Sequence, residues 1–167
     1  MSESRPNESP LSESLAIFLT WPTYGTWLPG DERGWNKYKQ GRFAGDAARK
    51  IDAEKRMVNE ACSLTEEERE LVQSTIKEHC GIKGWLLYAV NCRTTHIHVV
   101  VGCRTPARDI RRQLKAWTSR RLRERQLSMN VDPANIRSDW WAERGSIRYL
   151  HDQKSLESVI YYVNEAQ

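Results

Sequence analysis

The chain has 167 residues, of which 39% are hydrophobic and 29% charged, and its net charge is +4. This length and composition predict one globular domain with a sizeable core. No apolar run approaches the roughly 18 residues of a membrane-spanning helix, which excludes an integral membrane protein of that kind. The polar stretch 1–14 lacks the apolar core of a secretion signal. We therefore expect a disordered tail over 1–14, a folded domain over 15–167 and a cytoplasmic protein.

The four cysteines, Cys62, Cys80, Cys92 and Cys103, form no C-x-x-C pair, which argues against a zinc ribbon. Without an export signal they are expected to be reduced thiols. Cys92 and Cys103 flank a histidine-bearing segment, where they are either soft metal ligands or, more commonly, small buried residues.

The first element is an apolar run, Leu15–Trp21, which predicts a central strand. Glycines and a proline interrupt residues 23–35 and predict a loop. Residues 36–61 are polar and irregular, and a long insertion with little structure is expected there. Three tryptophans lie in or beside the loop, where they either cover the core or stack on nucleobases. They are Trp21, Trp27 and Trp35.

A helix is predicted to begin at Thr65, because Thr65 and Glu68 form a capping box, and to end at Gly81. Two apolar runs follow, over residues 85–91 and 96–101. Only four residues separate them, so they predict an antiparallel hairpin.

Residues 104–125 contain nine basic and two acidic residues and carry a charge of +7, which leaves −3 for the rest of the chain. The segment predicts a helix with Thr105 as N-cap and Pro106 in the first position. Ile110, Leu114, Trp117 and Leu122 would form its apolar side. Such charge asymmetry indicates a polyanionic partner.

The final elements are a strand over Ser146–Leu150 and a helix capped by Asp152 that runs to the end of the chain. Apolar residues at i, i+3, i+4 and i+7 give that helix a core face. They are Leu156, Val159, Ile160 and Val163. Tyr161 points farthest from this face and Tyr162 lies on its flank.

The element order β, α, β, β, α, β, α predicts an α+β protein. We expect a ferredoxin-like, four-stranded antiparallel sheet with helices on one face, followed by the C-terminal tyrosine-bearing helix. The other sheet face is expected to be open.

His96 and His98 alternate with apolar residues in the strand predicted over 96–101, so both point to one face of it. Two imidazoles about 7 Å apart on one face can bind a single metal ion. The alternative is a pair of solvated or hydrogen-bonded histidines. A tyrosine close to a metal-bound phosphodiester can act as a covalent nucleophile.

Taken together, these features resemble the single-tyrosine HUH transposases of the insertion-sequence-200-like class, and most of all the branch associated with repetitive extragenic palindromes. The resemblance extends over nearly all of the chain after residue 14. Five motifs carry it: TWPTYGTWLPGDERGW (20–35), NCRTTHIHVVV (91–101), QLKAWTSRRL (113–122), WWAERGSIRYL (140–150) and YVNEAQ (162–167).

The resemblance implies a bacterial homodimer that cuts single-stranded DNA beside a hairpin and leaves a 5′-phosphotyrosine and a free 3′-OH. It implies Tyr162 as the nucleophile, with Tyr161 as the alternative. It also implies a divalent ion, Mg²⁺ or Mn²⁺, held by His96, His98 and a third ligand from the tyrosine helix. The protein would associate with the nucleoid when bound to DNA.

The third ligand departs from the family pattern. Many relatives place it four residues after the tyrosine, where this chain has Ala166. Gln167 is the expected ligand and Glu165, four residues after Tyr161, the competing one. The residues expected to contact DNA phosphates are Arg111, Lys115, Arg120, Arg121 and Arg148.

Two other functions remain open on the sequence. A catalytically inactive, host-retained relative would bind single-stranded or hairpin nucleic acid without cutting it, for which the basic segment and the aromatics suffice. The third possible function is that of a small-molecule-binding or structural dimer of the same fold. This function does not explain the charge of +7 on residues 104–125.

Overall fold

The computed structural model describes residues 14–37, 39–102 and 104–165. Gln167, Cys103 and nearly all of the expected tail lie outside these ranges. The strands are β1 (Ala16–Pro22), β2 (Trp35–Lys37), β3 (Gly41–Phe43), β4 (Leu86–Cys92), β5 (His96–Gly102) and β6 (Ser146–Leu150). The helices are α1 (Ala47–Lys55), α2 (Glu66–Lys83), α3 (Ala107–Ser128) and α4 (Gln153–Glu165), with a short 3-10 helix at Pro133–Asn135. No described helix is both long and apolar enough to cross a membrane.

Four strands form one antiparallel sheet in the order β4-β5-β1-β6, and β2 and β3 form a separate hairpin. The crossovers through α2 and α3 give the ferredoxin-like arrangement that the element order predicts. In the register of β1 with β5, Thr20 lies opposite His98, so both side chains point to the same side of the sheet.

One face of the sheet packs against α2 and α3. From β5 this face presents Ile97, Val99 and Val101, which are all fully buried, as the alternation predicts. The two helices contribute the opposite side of this core with Val72, Ile76, Ile110, Leu114 and Leu122.

The opposite face, expected to be open, is partly covered by α4. Leu156, Val159 and Val163 of this helix are buried against Val100 of β5. Asp152 caps the helix as predicted, accepting a hydrogen bond from the backbone N–H of Ser155 at 2.7 Å. The apolar stripe of α4 must be buried. Because α2 and α3 already cover one face of the sheet, α4 packs on the opposite face.

The prediction of little structure over residues 36–61 is wrong. The segment contains most of the β2–β3 hairpin and all of α1. Local interactions stabilise both elements: the ring of Trp35 stacks on Phe43 at 5.0 Å, and Asp46 caps α1 by accepting a hydrogen bond from the backbone of Arg49.

Two helix boundaries differ from the prediction. The capping box at Thr65 is present, but α2 continues through Gly81 to Gly84, which adopts the left-handed conformation that ends helices. The N-cap of α3 is Pro106 rather than Thr105, because the Pro106 carbonyl accepts the first hydrogen bond of the helix, from Asp109.

The apolar side of α3 also differs from the prediction. Trp117 is 43% exposed, and the buried row contains Thr118 between Leu114 and Leu122. These three positions are four residues apart and therefore lie along one side of the helix.

Candidate active site

The centre of the candidate site is the histidine pair of β5. His96 and His98 lie on the face that α4 covers, with ring centroids 4.8 Å apart and ring planes nearly perpendicular. His98 is buried, with 6% of its surface exposed, whereas His96 is partly exposed. The structure thus brings together the two predicted metal ligands and gives them unequal access to solvent.

Thr20 of β1 fixes the orientation of His98. The Thr20 hydroxyl is hydrogen-bonded to Nδ1 of His98 at 2.9 Å. The other ring nitrogen, Nε2, is buried and has no hydrogen-bond partner among the described residues. A buried polar atom without a partner costs free energy, so such an atom in a native protein is expected to bind a water molecule, an ion or a ligand.

Both imidazoles are biased towards the neutral form. Burial, followed by the nearby His96 and Arg93, lowers the pKa of His98 to about 4. Burial, followed by Arg93, also lowers the pKa of His96. A neutral imidazole keeps the lone pair that binds a metal, so the pair meets the chemical requirement for a divalent ion.

Helix α4 places Tyr162 beside the histidines. Its ring lies edge-on to His98 with centroids 5.7 Å apart, and edge-on to Phe18 at 6.4 Å. Phe18 itself stacks on His98 at 5.5 Å. Tyr162 is 45% exposed, so its hydroxyl-bearing ring combines contact with the site and access to solvent.

Tyr161 is placed differently. It is 64% exposed, and no ring contact joins it to either histidine in the described part of the chain. Because neighbouring helix residues differ by about 100° in direction, only one of the two tyrosines can face the histidine pair.

Asn91 of β4 holds the end of α4 against the sheet. Its side-chain amide donates a hydrogen bond to the carbonyl of Val163 at 2.9 Å, immediately after Tyr162. Asn91 lies opposite His98 in the β4–β5 register, so this bond links the tyrosine helix to the strand beside the histidines.

Sequence reasoning assigned no role to Phe18, Thr20 or Asn91. One signal was available: Thr20 is a polar residue in an otherwise apolar strand, and such residues often have a specific hydrogen-bond partner. The partner was not predictable because it depends on the register between β1 and β5.

Among the described residues, no third ligand of the usual types joins the pair. The described residues contain no group of three or more His, Cys, Asp or Glu side chains that would hold a metal ion. Glu165 is exposed at the end of α4, and Gln167 lies outside the described residues. Cys92 pairs with Ile97 on the core face, and burial raises the pKa of its thiol to about 12, so it is a buried core residue.

Two of the five predicted DNA contacts donate hydrogen bonds to backbone carbonyls. Lys115 donates hydrogen bonds to the carbonyls of Ala142, Glu143 and Arg144 at 2.7 to 3.1 Å. Arg111 donates to the carbonyl of Gly145 at 2.9 Å. Burial, followed by Arg111, lowers the pKa of Lys115 to about 8. Together they hold the segment 142–145, which leads into β6.

The other three are exposed but lie on different sides of the sheet. Arg120 and Arg121 are on α3, with Glu124 at 3.1 Å and Glu78 at 3.6 Å as their respective partners. Arg148 of β6 lies opposite Phe18 and therefore points to the histidine face. The basic helix and the histidine pair are thus on opposite faces of the sheet.

Two solved transposase structures share this fold. One is a candidate transposase from Deinococcus radiodurans, with 14% identity, a TM-score of 0.50, and coverage of 98% of this chain and 95% of the other. The other is a REP-associated tyrosine transposase bound to a REP hairpin, with 11% identity, a TM-score of 0.51, and coverage of 98% and 70%.

The family is given by the sequence. Residues 56–166, well over half of the chain, match the family described as Transposase IS200 like. The chain therefore belongs to the IS200-like transposase family, as its motifs predict. A search of curated proteins gave no match.

Proposed function

We propose that this transposase cleaves and rejoins single-stranded DNA with hairpin ends, through a covalent 5′-phosphotyrosine intermediate on Tyr162. One observation carries the proposal: the Tyr162 ring lies 5.7 Å from His98, whose buried Nε2 has no partner among the described residues. The proposed nucleophile, which is 45% exposed, thus lies beside the proposed metal ligands.

The proposed step transfers the phosphoryl group from one oxygen to another. The Tyr162 oxygen attacks the phosphorus of the scissile phosphodiester as the phenol loses its proton. The bond between phosphorus and the 3′ oxygen breaks, and that oxygen takes up a proton as a free 3′-OH. Attack by a 3′-OH on the phosphotyrosine reverses these changes and rejoins DNA. The phosphodiester count is unchanged, so no external energy source is required.

His96 and His98 would hold a divalent ion, Mg²⁺ or Mn²⁺, with Gln167 as the proposed third ligand. When bound, the ion supplies positive charge that polarises a phosphoryl oxygen. Imidazole ligands favour softer divalent ions over Mg²⁺, so Mn²⁺ should bind more tightly in vitro. The hydrogen bond between Nδ1 of His98 and the Thr20 hydroxyl keeps the His98 ring in one orientation, which reduces the reorganisation that metal binding requires.

The proposed DNA contacts are exposed guanidinium groups on both sides of the sheet. Arg148 is next to the histidine face, where it can contact the backbone of the strand being cut. Arg120 and Arg121 can contact a hairpin stem from α3. A hairpin is a reasonable probe because the REP-associated transposase with this fold was solved with one. A homodimer is part of the proposal.

The deciding experiment is a covalent-adduct assay. The protein is mixed with labelled hairpin oligonucleotides that carry single-stranded tails, taken from beside its own gene, with Mn²⁺ and separately with EDTA. We expect a metal-dependent protein–DNA band on a denaturing gel. Tyr162→Phe should abolish the band without weakening DNA binding, because it removes only the nucleophilic oxygen.

Tyr161→Phe is the matched control, since it removes the same atom from the neighbouring residue. It should leave the adduct intact. An adduct that persists in Tyr162→Phe and disappears in Tyr161→Phe would reverse the assignment of the nucleophile.

A second candidate function is nucleic-acid binding without cleavage. The observation that favours it is the absence, among the described residues, of a third His, Cys, Asp or Glu beside the histidine pair. This function predicts hairpin binding that is sensitive to salt and indifferent to EDTA, together with no adduct on any of these oligonucleotides.

A further inference from the structure

The loop after β1 lies at the end of the sheet where the histidine strand begins. The backbone N–H of Thr23 donates to the carbonyl of Thr95 at 2.8 Å, and the Thr26 hydroxyl donates to the same carbonyl at 3.3 Å. Thr95 directly precedes His96, and its hydroxyl lies 3.4 Å from Nδ1 of that histidine. Thr23 and Thr26 therefore connect this loop to the residue that precedes His96.

Trp27 is the exposed aromatic residue of this loop. Trp21 is buried in the core and Trp35 is buried against Phe43, whereas Trp27 is 47% exposed. Its indole N–H donates to the carbonyl of Gly34 at 2.7 Å. The ring is thus held in place by its edge while much of its surface remains accessible.

Arg33 stacks on this ring. Its guanidinium carbon lies 4.3 Å from the centroid of the Trp27 ring. The guanidinium also contacts both carboxylate oxygens of Asp31 at 2.7 and 2.8 Å, and donates to the carbonyl of Thr26 at 2.8 Å. Asp31 is buried, so the arginine is anchored from within the loop. An aromatic ring and a cation are therefore preorganised together in the loop that contacts Thr95.

Core packing does not explain why the Trp27 indole is exposed. The family match begins at residue 56, after this loop, and so assigns no role to Trp27. A rigid aromatic face beside a cation is a common recognition element for single-stranded nucleic acid. The ring stacks on a base, every base has a face that can stack, and the cation attracts the phosphate backbone.

We infer that Trp27, backed by Arg33, is the stacking site for one unpaired nucleobase of the DNA strand that reaches the histidine pair. This inference rests on the proposed function in one respect, namely that single-stranded DNA is the ligand. The stack of a base on Trp27 would be a specificity-determining contact outside the family-matched residues. It would set how the DNA strand approaches His96 and His98.

The test compares two DNA hairpins with the same stem, one blunt and one with a short single-stranded tail, binding to the full-length chain in EDTA. Trp27→Ala should reduce the preference for the tailed hairpin by about 10-fold, the expected loss of one base–aromatic stack. Trp27→Phe keeps an aromatic ring and should retain most of the preference. A 2-aminopurine in the tail should be quenched by the wild type and brighter with Trp27→Ala.

Trp117→Ala is the matched control. Trp117 is similarly exposed and has Arg120 over its ring at 5.4 Å, but it lies on α3, across the sheet from the histidines. It should change binding to both hairpins equally. An unchanged preference in Trp27→Ala, or an equal loss in Trp27→Phe, would overturn the inference.

The outcomes separate this inference from the proposed function. Tail-dependent binding through Trp27 with no covalent adduct supports the stacking site and rejects cleavage. A Tyr162-dependent adduct with no effect of Trp27 on the preference supports cleavage and rejects the stacking site. Failure of both hairpins to bind rejects both.

Discussion

The Thr20 hydroxyl determines which nitrogen of His98 is available. It occupies Nδ1 at 2.9 Å, and Nε2 is buried with no hydrogen-bond partner in the described ranges. A hydrogen bond to the second nitrogen of a ligating histidine fixes the orientation of its ring. Thr20 is therefore a positioning residue for the proposed metal site, although it does not itself lie in the histidine strand.

Replacing Thr20 with valine tests this role. Thr20→Val keeps the side-chain shape and removes the hydroxyl, so the affinity for Mn²⁺ should fall by about 10-fold or more. Isothermal titration calorimetry measures the affinity directly. Thr75→Val is the control, because the Thr75 hydroxyl only donates to the carbonyl of Leu71 within α2. Equal Mn²⁺ affinities for the wild type and Thr20→Val would contradict the positioning role.

At the scale of elements, the loop 23–34 depends on the ion pair between Asp31 and Arg33. The hydrogen bond from Arg33 holds the pKa of Asp31 at about 2, below its ordinary value of 3.8, despite burial. Since the folded-state pKa is the lower one, this carboxylate stabilises the fold above about pH 4. That contribution, of order 2 kcal/mol, is lost as the pH falls from about 4 through about 2.

This pH dependence is measurable by urea unfolding between about pH 2 and about pH 5. The free energy of unfolding should decrease with falling pH in the wild type, and Asp31→Asn should remove part of that decrease. Asp52→Asn is the control, because Asp52 pairs with Arg56 on the exposed surface of α1. A pH profile of Asp31→Asn that parallels the wild type would show that the ion pair contributes little.

The segment 142–145 is a second element whose position depends on close backbone contact. A Cβ atom on Gly145 would lie 2.3 Å from the carbonyl oxygen of Thr20 and 2.7 Å from Cβ of Trp21. Gly145→Ala should therefore force β1 and this segment apart and cost about 1–3 kcal/mol of stability. Chemical denaturation measures the change.

Gly81→Ala provides the contrast, since a Cβ at Gly81 in α2 meets no atom within 4 Å. It should stabilise the protein by about 0.5–1 kcal/mol, because glycine loses more backbone entropy than alanine in a helix. Similar effects of the two substitutions would show that the close approach at Gly145 is relieved at little cost.

At the scale of the whole molecule, the basic helix and the histidine pair are separated by the sheet. Helix α3 packs on the Ile97 face, whereas the histidines and Tyr162 lie on the other. Binding through the exposed charges of α3 should therefore be separable from the chemistry. DNA that contacts both sides must pass around an edge of the sheet or reach a second subunit.

Combining Arg120→Gln with Arg121→Gln tests this separation. DNA affinity should fall, and the slope of log affinity against log salt should decrease by about 1.8, because two phosphate contacts are lost. Adduct formation at saturating DNA should be unchanged. Lys55→Gln with Arg56→Gln removes the same charge from the C-terminal end of α1 and controls for net charge. Loss of the adduct at saturating DNA would contradict the separation of binding and chemistry.

Much of the fold was predictable because its signals are local. Alternation in the segment 96–101 placed His96 and His98 on one strand face, and the capping box of Thr65 and Glu68 fixed the start of α2. The motifs also identified the family. The end of α2 was predicted at the wrong glycine. Gly81 and Gly84 both stand near the end of this helix, and the helix ends at Gly84, where the backbone adopts the left-handed conformation.

The candidate site depends on contacts between residues far apart in sequence, and only the tertiary structure decided those. The sequence left Tyr161 and Tyr162 as alternatives, and the packing of α4 on the sheet brought Tyr162 to His98. The sequence also suggested Lys115 as a DNA contact. In the folded protein the Lys115 amine donates to three backbone carbonyls. The physical reason is that strand register and helix rotation are set by burial of whole apolar faces, which no short segment encodes alone.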